Sequence, residues 1–527
     1  MSKRGFFVLT LIVTLVVALS VQGLAQPAHV NLPEQAQARS PVFDAIGKDV
    51  LLPPDVMPVI FISGEPYDMG YQYGQQADDY IIRVKDRLWN NLLANDDRAT
   101  ILTLLRKYEA TMKEEIPEFI DIMRGMARGA GVDYEDILVI NCFVDAAWAR
   151  PADFCSGLAA WDSATPDGKT IVGINFDFMS DPFAYRVVIV AHPSFGNSYI
   201  STGWAGTLGG NFYLNEKGLV ETNHHGEYVR DQDKAFGVPA FVLPAFAVTK
   251  YDTAEEARDF LLEVPKSMGV IRMLTDAEGG KYVIESTADL AFYREPGDFG
   301  EDDYLMVTNH WIMPEMDATK WPVPGPGSSQ FRYLTIEKLA RDNHGSIDLD
   351  TLKEILGVED YWDGSKWHYN MRFSPLIVCG RQLTAQIAIP EDLTAYILTG
   401  DSHAIRPDGA PFSTGQYVKY TLTEDVPSFN AMVKGYALDA LTLASRELND
   451  AGYLLGRGVL PTATNLALNG WLNDAKLAYW AGLEKTIEAE KAGFAGNKNA
   501  SLAAYAEAST YFSKAQAYAL KAADAVK

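Results

Sequence analysis

Cysteine is scarce in this chain: three in 527 residues, at Cys142, Cys155 and Cys379. Three cysteines cannot staple a chain of that length, so a disulfide scaffold is excluded and an apolar core must carry the fold. In an exported chain an odd number leaves at least one thiol outside any disulfide, and that thiol needs its own explanation. Positive charge is also short, with Lys+Arg 45 against Asp+Glu 69 and a net charge of −24. Such a balance repels phosphate backbones and sets aside a general nucleic-acid role. Beyond the N-terminus no apolar run is long enough to span a bilayer, so no integral membrane segment is expected there. The glycine-rich stretch 203–210 lacks the Lys-Ser/Thr of a phosphate loop. His224 and His225 are adjacent and point to opposite faces of a strand, which disfavours one metal centre using both. The expectation is a protein without metal or cofactor.

What is present begins with a leader. Lys3 and Arg4 precede the apolar run Phe6 to Ala18, and Gly23 and Ala25 supply small residues before Gln26. The apolar stretch is short for a membrane anchor and reads as a signal peptide, residues 1–25, giving a secreted or periplasmic protein. An apolar fraction of 48% with 22% charged residues is that of a globular chain.

Residues 58–63 read as a strand, followed by Gly64-Glu-Pro66 and a helix carrying Gly70 and Gly74 four apart on one face, where missing side chains permit close packing. Helical patterns continue through 98–130. From about 155 to 310 short β-type runs dominate, among them Thr170–Ile174, Tyr185–Val190, Gly218–Thr222 and Lys281–Glu285, interrupted by a helical segment at Thr253–Val264. Strands resume at Gln386–Ile389 and Ala395–Leu398. The last hundred residues are rich in Ala, Leu, Lys and Glu, with breaks at Gly456–Gly458, Pro461 and Gly493, and read as three helices. Tyr479, Trp480, Tyr505 and Tyr511 are expected to be packing residues.

A lone cysteine is most often a buried core thiol. The neighbours of Cys155 alter that reading. Phe154-Cys155-Ser156-Gly157 is followed by Gly173-Ile-Asn175-Phe-Asp177, then Asn215-Glu-Lys-Gly218-Leu, Thr222-Asn223, Thr308-Asn309-His310 and Ser328-Ser329-Gln-Phe-Arg332-Tyr333. This ordered set, with the Gly64/Pro66/Gly70/Gly74 segment, resembles the N-terminal-nucleophile hydrolases whose nucleophile is cysteine. It is most similar to the isopenicillin-N (penicillin) acyltransferase family and its choloylglycine (bile-salt) hydrolase and penicillin V acylase relatives. The phospholipase B-like proteins share that fold, and residues 206–223 resemble them as well.

The resemblance implies an α+β fold, a four-layer αββα sandwich, with residues 26–154 as propeptide or small subunit and 155–425 as the catalytic core. The added C-terminal α-helical region, an extension over residues 426–527, is read from its Ala-rich composition and has no counterpart in that family. The resemblance also implies cleavage between Phe154 and Cys155 and a Cys155 nucleophile whose own α-amine serves as base. That amine has an intrinsic pKa of about 7.7–8.0, suited to the task without a histidine. By the same resemblance Asp177 orients the amine, Asn223 and Asn309 donate to the oxyanion, and Arg332 organises the nucleophile electrostatically. Ser156 and the Ser328-Ser329 pair are candidate supporting donors. The implied partner is a small-molecule acyl-amide, with the two processed fragments held together. In one respect the chain departs from the pattern. Bile-salt hydrolases carry an arginine three residues before the aspartate matching Asp177; here Ile174 stands there. The expected function is a Cys-dependent hydrolase or acyltransferase acting on linear amides. A phospholipase B-like amidase or lipase, or a secreted binding protein that kept the fold without catalysis, are the alternatives. Whether Cys142 and Cys379 pair stays open at this point.

Overall fold

A computed structural model describes residues 56–147, 155–177, 185–226, 235–319, 327–358, 360–369, 382–399, 415–456 and 462–526. The expected leader, Phe154 and Cys379 lie outside these. Strand β1 (Val59–Gly64) leads into five helices: α1 (Pro66–Gln76), α2 (Asp78–Arg87), α3 (Arg98–Glu115), α4 (Pro117–Ala130) and α5 (Tyr134–Ala147). Their starts and stops follow local chemistry. Proline opens α1 and α4, the Asp97 carboxylate caps α3 by accepting from Thr100 N at 2.9 Å, and Gly131, at φ +69°, ends α4 in the left-handed region.

The strands then come in series: β2 (Ser156–Asp162), β3 (Gly168–Asp177), β4 (Arg186–Pro193), β5 (Tyr199–Trp204), β6 (Phe212–Asn215) and β7 (Val220–His225). Helices α6 (Leu243–Lys250) and α7 (Ala254–Glu263) precede β8 (Val270–Thr275), β9 (Lys281–Ser286), β10 (Ala291–Arg294) and β11 (Tyr304–Val307). Next come α8 (Ser328–Asp342), α9 (Leu349–Leu356), a hairpin of β12 (Tyr361–Trp362) and β13 (Trp367–His368), and strands β14 (Gln382–Ile389), β15 (Thr394–Thr399) and β16 (Gln416–Thr421). The chain closes with α10 (Val426–Gly456), α11 (Thr462–Phe494) and α12 (Lys498–Asp524).

Two sheets result. One has eight strands in the order β1-β4-β5-β6-β7-β8-β9-β10, and the other six in the order β11-β2-β3-β14-β15-β16. Period-two alternation assigns their faces. Val188, Val190, Ile271 and Met273 from the first sheet share a core with Ala159, Val172, Ile174 and Ile397 from the second. The outer face of the first sheet packs on α1–α7, and the outer face of the second on α8 and α9 through Leu158, Ile336, Leu352 and Ile387. The arrangement is the four-layer αββα sandwich.

Helices α1 and α4 cross with their backbones in contact. A Cβ at Gly70 would lie 1.9 Å from Ile122 O and one at Gly74 2.3 Å from Met126 O, while Gly125 and Gly129 of α4 stand equally close to Tyr67 O and Tyr71 O. Only glycine fits at these four positions.

The C-terminal helices do not stand apart as an extension. Val59 N donates to Thr510 Oγ1 at 2.8 Å, Lys419 N to Gln516 Oε1 at 2.6 Å, and Tyr420 OH to Ser513 Oγ at 2.9 Å. Helix α12 thus bridges the edge strands β1 and β16 and closes that side of the sandwich, burying Phe429 and Phe512 in the inter-sheet core. The reading of the terminal aromatics needs correction at two positions: Tyr505 is buried, but Trp480 is 65% and Tyr511 37% exposed. Cys142 is a buried thiol within α5, and the question of its pairing with Cys379 lies outside the described residues.

Candidate active site

Cys155 is the residue immediately before β2 and is 1% exposed. Strand β2 pairs with β3 in the register Ser156↔Asn175 and with β11 in the register Val307↔Gly157. Continued by one and two residues, these registers set Cys155 between Phe176 on one side and Asn309 on the other. Asp177 ends β3 one position beyond Phe176 and is fully buried. Leu158 and Ala160 face α8 and α9, whereas Gly157 and Ala159 face the other sheet. Cys155, just before the strand, falls in the buried cluster shared with α1–α7 and not in the inter-sheet core.

Arg332 fixes this corner. It lies in the first turns of α8, 1% exposed, on the outer face of the six-stranded sheet. Its Nη1 donates to Cys155 O and to Ser156 Oγ (2.8 Å), its Nη2 to Asn309 Oδ1 (2.7 Å) and its Nε to Ser328 Oγ (3.2 Å). One planar guanidinium therefore locks the start of β2 to the segment after β11. Ser329 adds a second clip: its Oγ accepts from Asn309 N at 2.7 Å and meets His310 Nδ1 at 2.8 Å.

The two candidate amide donors approach from different directions. Asn309 Nδ2 donates to His225 O at 2.9 Å, tying the six-stranded sheet to the end of β7. Asn223, two residues earlier on β7, donates through Nδ2 to Ala240 O at 3.1 Å. Each amide nitrogen carries two hydrogens, so each retains one N–H beyond the bond it makes here.

Ala240 is held from several sides. Arg272 Nη2 donates to its carbonyl at 3.2 Å, and its own N–H donates to Asp145 Oδ1 at 2.9 Å, which Ser267 Oγ also meets. Arg272 is paired with Glu221 at 2.7 Å. Burial pushes the Asp145 carboxyl up to about 6, with the Ser267 and Ala240 hydrogen bonds opposing the shift. The clasp positions the next residue, Phe241, whose ring lies 6.2 Å from Phe176 and 5.1 Å from Trp204. These three rings form an aromatic wall in the same buried cluster as Cys155. Sequence reasoning missed that wall and the Asp145–Arg272 clasp, since the residues are scattered and nothing local marks them. His224 is a further neighbour. Its ring packs on Gly157, where a Cβ would come within 2.9 Å of its Cε1, and burial, with Arg332 nearby, drives its pKa to about 3. It is a neutral, fixed imidazole.

Four of the five expected residues, Cys155, Asp177, Asn309 and Arg332, thus converge at one end of the sandwich. The fifth, Asn223, lies on β7 of the facing sheet, bonded to Ala240 O and not to any of these four. Phe154, the other side of the expected cleavage, lies outside the described residues. Among the described residues no group of His, Cys, Asp and Glu could hold a metal ion.

Residues 163–372 match the family model described as acyl-coenzyme A:6-aminopenicillanic acid acyl-transferase. The match spans Asp177, Asn223, Asn309 and Arg332 and starts eight residues after Cys155 (163 − 155). Over that segment the chain is similar to this acyl-transferase family. An uncharacterized protein of Archaeoglobus fulgidus is 28% identical over 350 residues, covering 56% of this chain and 57% of its own length. Protein dcd1A of Dictyostelium discoideum is 25% identical over 189 residues, covering 30% of this chain and 42% of its own. The chain thus spans about half the length of the curated relatives it matches. Among solved structures, a Caenorhabditis elegans N-acylethanolamine-hydrolyzing acid amidase ortholog overlays at a TM-score of 0.34 and 14% identity, covering 51% of this chain and 100% of its own. A mutant of the conjugated bile acid hydrolase from Clostridium perfringens overlays at 0.31 and 14% identity, covering 51% and 99%.

Proposed function

We propose that this chain is an exported, self-processing cysteine amidase or acyltransferase that takes the acyl group of a linear amide onto Cys155. The observation that carries the reading is the Arg332 guanidinium, which holds Cys155 O, Ser156 Oγ and Asn309 Oδ1 at once. A positive group against the nucleophile's own backbone favours the thiolate and fixes the direction of Sγ. Maturation begins when Cys155 Sγ attacks the Phe154 carbonyl. The peptide bond breaks, a thioester forms, and the Cys155 nitrogen leaves as an amine. Water then hydrolyses the thioester, giving a Phe154 carboxylate and a free Cys155 thiol.

In turnover the new α-amine takes the thiol proton, oriented by Asp177, and the thiolate adds to the substrate carbonyl. The second N–H groups of Asn309 and Asn223 are the candidate donors to the oxyanion. The ammonium returns its proton to the departing amine, leaving an acyl-thioester for water or a second amine. The wall of Phe176, Trp204 and Phe241 favours an apolar acyl group. After cleavage the N-terminal fragment stays attached, because β1 is hydrogen-bonded into the eight-stranded sheet and α1–α5 cover its outer face.

Intact mass and N-terminal sequencing test the proposal. Two associated chains are expected, the larger beginning at Cys155, with no cleavage in Cys155→Ala. Efficient amide turnover by an uncut chain, or normal cleavage of the alanine variant, would overturn it. A panel of N-acyl amides differing in acyl polarity then reads the role of the aromatic wall.

A further inference from the structure

Helix α11 buries one face in the C-terminal bundle through Leu472, Ala475, Ala478 and Ala489. Its opposite face is apolar too. Leu477 is 68%, Trp480 65%, Ile487 50% and Phe494 92% exposed. With Glu484 and Lys491 these residues fill every step of a 3-4-3-4-3 series, the seam spacing of a coiled coil. Single exposed apolar side chains are ordinary. Four on one line along about 26 Å of helix, from residue 477 to 494 at 1.5 Å per residue, mark an interaction surface.

We propose that this face is a homodimer interface in which α11 packs antiparallel on α11 of a second copy of the chain. A two-fold axis midway between Glu484 and Ile487 sets Leu477 against Phe494 of the second copy, Trp480 against Lys491, and Glu484 against Ile487. The pattern is self-complementary, as an isologous contact requires. The Lys491 ammonium meets an indole face. One layer along lies Glu484 of the opposing helix, so the two charges in the seam neutralise each other. A lipid surface is the poorer occupant, because insertion of the same face would carry Glu484 into the apolar layer without a partner. The seam drifts about 20° per heptad around a straight helix, and a left-handed supercoil takes up that drift. None of this depends on the chemistry at Cys155.

Sedimentation equilibrium on the full chain tests it. A dimer is expected, weakened about 30-fold or more by Trp480→Glu or by Ile487→Glu, with helicity unchanged by circular dichroism. Glu484→Lys and Lys491→Glu should each weaken it, and the two together should weaken it less than the sum of the two. Monomer at every concentration, a dimer indifferent to Ile487→Glu, or a charge swap whose losses simply add overturns the proposal. So does a monomer that floats with phosphatidylcholine vesicles and stops doing so after Trp480→Glu, which would identify a lipid surface.

Discussion

Replacing Arg332 by alanine tests the reasoning about the site most directly. The side chain makes buried hydrogen bonds to Cys155 O, Ser156 Oγ and Asn309 Oδ1, and a partly buried one to Ser328 Oγ. The serine hydroxyls can rotate toward other partners, but Cys155 O and Asn309 Oδ1 lose a charged donor in a site closed to bulk water. At about 1–3 kcal/mol for each orphaned acceptor, with some loss of packing from the missing stem, the cost is about 3–5 kcal/mol. Two readouts separate folding from positioning. Thermal and denaturant unfolding give the stability loss, and the rate at which a Cys155 N-terminus appears gives the processing defect. Arg332→Lys retains the charge but not the planar fork, so it should fold with a smaller loss while processing slows by about a hundredfold. If Arg332→Ala stays within about 1 kcal/mol of the parent and matures at the parent rate, the guanidinium does not organise the nucleophile.

Cys155→Ser should keep the fold and, having a poorer nucleophile, show processing and turnover slowed by orders of magnitude, read by mass spectrometry and an amide-release assay. Gly70→Ala places a methyl 1.9 Å from Ile122 O, so α1 and α4 must separate; a loss of at least about 3 kcal/mol is expected in urea unfolding, and a neutral result would refute the described helix crossing. Asp145 supplies a pH prediction. Its folded pKa, about 6, exceeds its ordinary 3.8, so the folded chain binds the extra proton between those values. The contribution is therefore fully present below about pH 4 and lost as pH rises through 6, by at most about 3 kcal/mol. Asp145→Asn should flatten that part of the stability profile, and an unchanged slope would exclude Asp145 as its source. Phe241→Ala should raise KM for apolar acyl-amides more than for polar ones in a steady-state panel, and equal effects would show that the aromatic wall does not select the acyl group.

Elements with strong local signals were legible in advance. The runs at Thr170–Ile174 and Lys281–Glu285 fall within β3 and β9, Tyr185–Val190 overlaps β4 from Arg186 on, and Thr253–Val264 brackets α7. The four-residue glycine spacing at Gly70 and Gly74 announced a close helix contact, though not that Gly125 and Gly129 would answer it from α4. The site residues were legible as an ordered series and not as a geometry. Arg332 meets Cys155 across 177 residues of sequence, and no local pattern encodes that meeting. The clasp of Asp145, Ser267 and Arg272 on Ala240 was invisible for the same reason.

By itself the sequence determined the composition of the layers: which runs alternate, which helices begin and end where, and which cysteine stands in the company of an Asp, two Asn and an Arg. These are local properties, written in periodicity, caps and motif order. Tertiary structure alone decided how the layers serve the chemistry. It turned the C-terminal helices from an extension into the closing edge of the sandwich, because Thr510, Ser513 and Gln516 satisfy polar groups of β1 and β16. It left Trp480 facing solvent while Ala475 and Ala478 of the same helix are buried. It also joined Cys155, Asn309 and Arg332 through strand register and one guanidinium. Contacts of long sequence separation are set by which faces must be buried together, and that is a property of the whole chain rather than of any segment.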